Sequence, residues 1–149
     1  MSKIKIYTDG AASPNPGKGG YGSILIYGEK RKELSQGYTF TTNNRMELMG
    51  VIAALECLKQ VNLDIDLYSD SKYVVDSIEL GWYKKWIVKK FKGIKNQDLW
   101  ERIITQYNKH NIKFNWVKGH ASNVENNNCD ILATTAAKGT NLIIDVGYI

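Results

Sequence analysis

Ile65-Asp66-Leu67-Tyr68-Ser69-Asp70 is the stretch on which the architecture turns. Ile65 and Leu67 alternate with polar neighbours, which is strand spacing, and the run ends on a carboxylate. It follows a helical segment, residues 45–59, in which Leu48, Val51, Ile52, Leu55 and Leu58 recur three and four apart. A strand that returns after a helix reaches the sheet by a crossover, and so lies parallel to a strand already placed. The candidate partner is residues 3–8, which alternate in the same way and also run into a carboxylate, Asp9. If the two strands are parallel neighbours, Asp9 and Asp70 emerge together at one end of the sheet.

Upstream, residues 20–27 and 32–39 read as two further strands of an antiparallel meander. The string Ala11-Ala12-Ser13-Pro14-Asn15-Pro16-Gly17-Lys18-Gly19-Gly20 joins them to the first as a turn-rich connection. Asn44 is available to cap the helix at 45–59. Downstream come helices over 71–80 and 99–108, a strand over 112–117 and a last helix over 126–137. The tail from Leu142 onward reads either as a loosely packed extension or as an extra turn. The pattern describes a mixed sheet with helices packed on it, in one domain spanning 1–149, since 149 residues at 43% hydrophobic content support one sizeable core.

No apolar run is long enough for a membrane span, and the N-terminus lacks the profile of a signal peptide, so no membrane partner is expected. Cys57 and Cys129 lie in apolar helical patterns with no paired motif, which points to free thiols in a reducing compartment and a cytoplasmic protein. The sequence says nothing direct of oligomeric state; a monomer is the expectation. Lys and Arg outnumber Asp and Glu by 20 to 15, and Lys84, Lys85, Lys89, Lys90, Lys92 and Lys95 fall where no acid interrupts them. Such a field attracts a polyanion.

Four acids, Asp9, Glu47, Asp70 and Asp130, stand where elements are expected to start or stop. Taken singly each has an ordinary explanation; Glu47, three residues after Asn44, fits a capping box. As a set of carboxylates without a Cys–His cluster they suit a hard cation, Mg²⁺ or Mn²⁺, better than structural zinc. Held close, they would repel one another and keep raised, coupled pKa values until a cation binds, and such a cluster can hold two ions on a phosphodiester. His120, in Trp116-Val117-Lys118-Gly119-His120, is either a proton carrier beside the metals or simply an exposed loop histidine.

Residues 81–92 interleave aromatics with lysines. Trp82 and Trp86, four apart, would share one helical face, leaving the lysines for phosphates; alternatively the aromatics only dock the helix on the body. Asn15, Asn43 and Asn44 add compact donors and acceptors near the acids, suited to minor-groove edges or a 2′-hydroxyl.

Together these residues resemble the type 1 ribonuclease H family. The marks are Tyr7-Thr8-Asp9-Gly10, Asn15-Pro16-Gly17 with Gly19-Gly20-Tyr21-Gly22, Thr41-Thr42-Asn43-Asn44-Arg45-Met46-Glu47-Leu48, Tyr68-Ser69-Asp70-Ser71, Trp116-Val117-Lys118-Gly119-His120 and Cys129-Asp130-Ile131-Leu132-Ala133. The resemblance implies an α/β, ribonuclease H-like fold: a five-stranded mixed sheet with helices packed on both faces. It implies an endonuclease that cuts the RNA strand of RNA–DNA hybrids, with two Mg²⁺ ions or Mn²⁺ in their place, leaving 5′-phosphate and 3′-hydroxyl ends. By that likeness Asp9, Glu47, Asp70 and Asp130 are catalytic metal ligands and His120 assists proton transfer or product release. Asn15, Asn43 and Asn44 resemble the minor-groove contacts, and Thr42 and Asn96 the contacts to a phosphate of the DNA strand. Segment 82–95, with Trp82, Lys84, Lys85 and Lys89, looks like the basic protrusion that grips the DNA strand. Two rivals stay open here: a nuclease of the same fold acting on DNA, and a hybrid-binding module without catalysis.

Overall fold

The computed structural model describes residues 3–119 and 121–148. β1 (Ile4–Ala12), β2 (Gly17–Tyr27) and β3 (Lys30–Thr41) form the meander, followed by α1 (Asn43–Glu56) and β4 (Asp64–Ser69). Then come α2 (Lys72–Glu79), α3 (Trp82–Val88), α4 (Gln97–Tyr107), β5 (Asn111–Trp116), α5 (Val124–Lys138) and β6 (Leu142–Ile143). The sheet order is β5-β4-β1-β2-β3-β6, with β1 antiparallel to β2 and parallel to β4. The inferred crossover is therefore present, and β4 contains the alternating run from Ile65 to Ser69.

Among the described residues the sheet has six strands, one more than expected. Leu142 and Ile143 pair in parallel with Gly37 and Tyr38 and cover the free edge of β3. Two residues are too few for a periodic signal; the strand exists because the end of α5 delivers the tail to an edge with unpaired backbone groups. β1 also continues through Asp9 to Ala12, and β2 begins at Gly17, inside the turn-rich string. Glycines weaken the strand signal without preventing the ladder from forming.

Alternation along β2 separates the two faces. Leu25 joins Ile6, Ile65, Leu67, Ile112 and Phe114 against α1, α2 and α4, where Leu48, Val51, Leu55, Val74, Leu99, Trp100 and Ile103 complete the buried core. On the opposite face Gly22 lies directly against the Cys129 carbonyl of α5, and the Cys129 thiol donates to the Tyr7 carbonyl at 3.2 Å. Helices thus pack on both faces. Among the described residues no helix is long and apolar enough to cross a membrane.

Candidate active site and metal centre

The last β1–β4 pair is Thr8 with Ser69, so Asp9 and Asp70 occupy the next position on two adjacent parallel strands. Their side chains meet as the alternation of each strand suggested. Glu47 arrives from above. It lies in the second turn of α1, whose cap is Thr42, accepting from the Arg45 amide at 3.1 Å, rather than Asn44. With the helix starting two residues earlier than expected, Glu47 is out of register for a capping box, and that reading falls. What brings it to the sheet is Gly10: any side chain there would collide with the Met46–Glu47 peptide, so α1 settles directly on β1. The Ser23 hydroxyl donates to the Gly50 carbonyl at 2.6 Å and holds the next turn down.

Asp9, Glu47 and Asp70 each offer a carboxylate oxygen, and these oxygens lie within 4.8 Å of one another. Asp130 is not in that group. It sits in the second turn of α5, since the helix begins at Val124, and its charge still reaches Asp9. Burial first, then Asp70 and Asp130, push the Asp9 carboxyl up to about 8, against the lowering effect of the Gly10 amide, which donates to Oδ1 at 2.9 Å. Glu47 is raised well above the carboxylate range by burial and by Asp9 and Asp70. Although the residue is only half-buried, its Oε1 is sealed and has no hydrogen-bond partner among the described residues. Like charges held this close, with an orphaned buried oxygen, fit a hard divalent cation that would satisfy them together.

The strand end beyond β5 closes over the same point. Trp116 Nε1 donates to the Asp70 carbonyl at 3.0 Å, and Lys72 Nζ lies 4.8 Å from the centre of the Trp116 ring. A Cβ on Gly119 would stand 2.7 Å from Asp70 Oδ2, so the turn passes close against that carboxylate and a side chain there would displace it. His120 lies outside the described residues.

At the start of α1 opens a groove of about 890 Å³, lined in part by Asn15, Thr42, Asn43, Asn44 and Asn96, five of the substrate residues inferred from sequence. Asn15 Oδ1 accepts from the Asn43 amide at 3.1 Å, and Asn43 Oδ1 accepts from the Ala12 amide at 2.5 Å, tying the loop after β1 to the start of α1. Asn96, at φ 63°, accepts from Arg45 Nη1 at 3.4 Å and donates to the Tyr73 hydroxyl at 3.2 Å. Arg45 is the residue that sequence reasoning missed. It is 2% exposed and makes paired hydrogen bonds to Asp98 at 2.7 and 2.9 Å and to Asp145 at 2.7 and 2.9 Å. Partners 53 and 100 positions away share no periodicity with it, so no sequence signal pointed there.

Segment 82–95 corrects one expectation and bears out another. α3 is helical, but Trp82 and Trp86 do not share a docked face. Tyr83 and Trp86 turn inward, Trp86 edge-on to Trp100 with centroids 5.2 Å apart and Tyr83 against Tyr107 at 5.7 Å, while Trp82 stays 39% exposed. Lys84, Lys85 and Lys89 are exposed, so aromatic docking and a basic outer surface coexist on one short helix.

Residues 1–138 match the family model for RNase H. The chain is 52% identical, over 98% of its length and 94% of the relative's, to a ribonuclease H of Desulforamulus reducens. It is 47% identical to a ribonuclease HI of Synechocystis, covering 99% of this chain and 95% of that one. Among solved structures it is similar to LC9-RNase H1, at TM-score 0.81 and 27% identity over 92% of this chain and 72% of that one. It is also similar to LC11-RNase H1 in complex with an RNA/DNA hybrid, at TM-score 0.68 and 26% identity over 91% of this chain and 96% of that one.

Proposed function

The chain belongs to the ribonuclease H family, and from that premise we propose how its residues divide the work of hydrolysing the RNA strand of an RNA–DNA hybrid. The observation that carries the reading is the packing of three carboxylates within 4.8 Å, with Glu47 Oε1 sealed and unpartnered among the described residues. Asp9, Glu47 and Asp70 are the metal-holding residues, and Asp130 joins them from α5 as the fourth carboxylate. When bound, two Mg²⁺ ions, or Mn²⁺ in their place, supply Lewis-acid stabilisation to the attacking and leaving oxygens, giving 5′-phosphate and 3′-hydroxyl ends. Asp9 is central to the set because it groups with Glu47 and Asp70 within 4.8 Å and also feels the charge of Asp130. Buried carboxyls pre-placed on two strands and a helix need no reorganisation when the charge they hold arrives. His120, next in sequence to the glycine that passes Asp70, is assigned the proton transfer or product release.

Substrate position is assigned to the groove. Asn15, Asn43 and Asn44 present amide groups to the minor groove, where a 2′-hydroxyl distinguishes RNA from DNA. Thr42 and Asn96 hold a phosphate of the DNA strand, and Trp82, Lys84, Lys85 and Lys89 extend that grip, with affinity drawn from phosphates rather than base sequence. One chain supplies all these groups, which supports a monomer. The free cysteines, one of them buried, support a cytoplasmic setting.

A cleavage assay with each strand end-labelled in turn tests the reading. RNA–DNA hybrid should be cut in the RNA strand alone, only with divalent cation present. Equal cleavage of DNA duplex would transfer the site to a DNA nuclease, and cation-independent binding without cleavage would leave a hybrid-binding module.

A further inference from the structure

The groove has a wall that the assignments above do not use. Tyr148 lines it together with the asparagines, and its ring packs on Phe40 with centroids 5.6 Å apart and planes at 35°. Phe40 is itself 54% exposed, so the Tyr148 ring on the groove wall is backed by a second aromatic that the core does not absorb.

The C-terminal tail that carries Tyr148 is held rigidly. Asp145, 8% exposed, accepts from Arg45 Nε at 2.7 Å and Nη2 at 2.9 Å and from the Thr41 hydroxyl at 2.7 Å. Gly147 lies so close to the Asp98 carboxylate and the Arg45 guanidinium that a side chain there would push the ion pair apart. The Tyr148 amide then donates to the Asp145 carbonyl at 3.1 Å, which turns the chain toward Phe40. The same guanidinium holds Asn96, so the tail and the Thr42–Asn96 end of the groove form one unit.

We infer that Tyr148, seated on Phe40, is a substrate-contacting residue, packing its ring against the sugar of the strand whose phosphate Thr42 and Asn96 hold. This rests on the hybrid-cleaving reading. In an intact duplex the bases stack on one another, so the apolar surface offered to a groove wall beside a phosphate is that of the sugars. An aromatic ring fixed next to amide donors and Lys95 matches that alternation of phosphate and sugar. Arg45 adds little to phosphate attraction, because Asp98 and Asp145 neutralise it. The tail therefore contributes binding rather than reaction chemistry.

Steady-state cleavage of a hybrid by Tyr148→Ala, Tyr148→Phe, Phe40→Ala and the Phe40/Tyr148 double alanine variant, alongside thermal unfolding of each, tests the inference. Tyr148→Ala should raise KM about fivefold, the low end for an aromatic contact with a nucleotide, with kcat within about twofold and the unfolding midpoint unchanged. Tyr148→Phe should behave as wild type. Phe40→Ala should raise KM similarly, and the double variant should be no worse than either, because the rings act as one surface. An unchanged KM in Tyr148→Ala would overturn the inference while leaving the hybrid reading intact. Loss of kcat in step with the unfolding midpoint would make Tyr148 a structural brace, and equal damage from Tyr148→Phe would replace ring packing by a hydroxyl contact; either result overturns it. No hybrid cleavage by wild type would overturn both readings.

Discussion

Two acidic clusters meet the first two turns of α1, one at Arg45 and one at Glu47, and they differ in one respect, charge balance. Around Arg45, the carboxylates of Asp98 and Asp145 are met by a buried guanidinium through four hydrogen bonds. The Asp98 carboxyl is held below its ordinary range, chiefly by its hydrogen bonds to Arg45. Two residues along the helix, Glu47 faces Asp9 and Asp70, and there burial and like charge push the Asp9 and Glu47 carboxyls upward. The first cluster is complete as it stands, and its product is geometry: it fastens the tail and one end of the groove. The second is incomplete as protein alone. A buried charge without a counter-charge is tolerated where a ligand completes it, which is why the second cluster marks the reaction and the first does not.

Asp9→Asn breaks the comparison most severely. Cleavage should fall by at least about a thousandfold while the fold and hybrid binding persist, because the amide keeps the shape and removes one repelling charge. Turnover near wild type would remove Asp9 from the centre. The matching change in the balanced cluster, Asp145→Asn, should cost about 3 kcal/mol in urea unfolding, since it leaves the Arg45 guanidinium buried and half-paired. Stability unchanged in Asp145→Asn, or lost equally in Asp9→Asn, would mean that charge balance does not separate the two sites.

A smaller effect sharpens the same contrast. With its carboxyl at about 8 when folded against an ordinary 3.8, Asp9 binds a proton in the native state that the unfolded chain has released. Metal-free stability, compared with Asp9→Asn, should therefore decline as pH rises from about 4 to about 8, and the difference should vanish below that window. Mg²⁺ should raise the thermal midpoint more at pH 8 than at pH 5. A midpoint indifferent to Mg²⁺ at both values would count against the metal assignment. The smallest effect belongs to the exposed surface: replacing Lys84, Lys85 and Lys89 together by Ala should flatten the salt dependence of hybrid binding by about 2 to 3 in log–log slope, with kcat at saturation preserved. An unaltered slope would leave α3 as a docking helix only.

Much of the carboxylate centre was legible because strand alternation and the placement of Asp9 and Asp70 after matching strands carry their own geometry. Glu47 was harder. Its capping-box spacing from Asn44 was a plausible alternative that fails because Thr42, not Asn44, starts the helix. On α3 the lysines followed from composition, but the choice of Tyr83 over Trp82 as the inward residue depends on where Tyr107 and Trp100 stand. The sixth strand and the tail anchored at Arg45 were invisible for a related reason: two residues of β6 have no period, and a pair 100 positions apart has no local signature.

From sequence alone came the order of elements, the parallel pairing that sets Asp9 beside Asp70, the oxygen-only donor set and the basic segment. Each follows from interactions a few residues apart, which repeat along the chain and can be read from it. Tertiary structure alone decided which carboxylates are balanced and which are not. The approach of Glu47 over Gly10, the sealing of its Oε1 and the capture of Arg45 by Asp98 and Asp145 arise from packing between distant segments, and charge acquires its function only once those segments share a place.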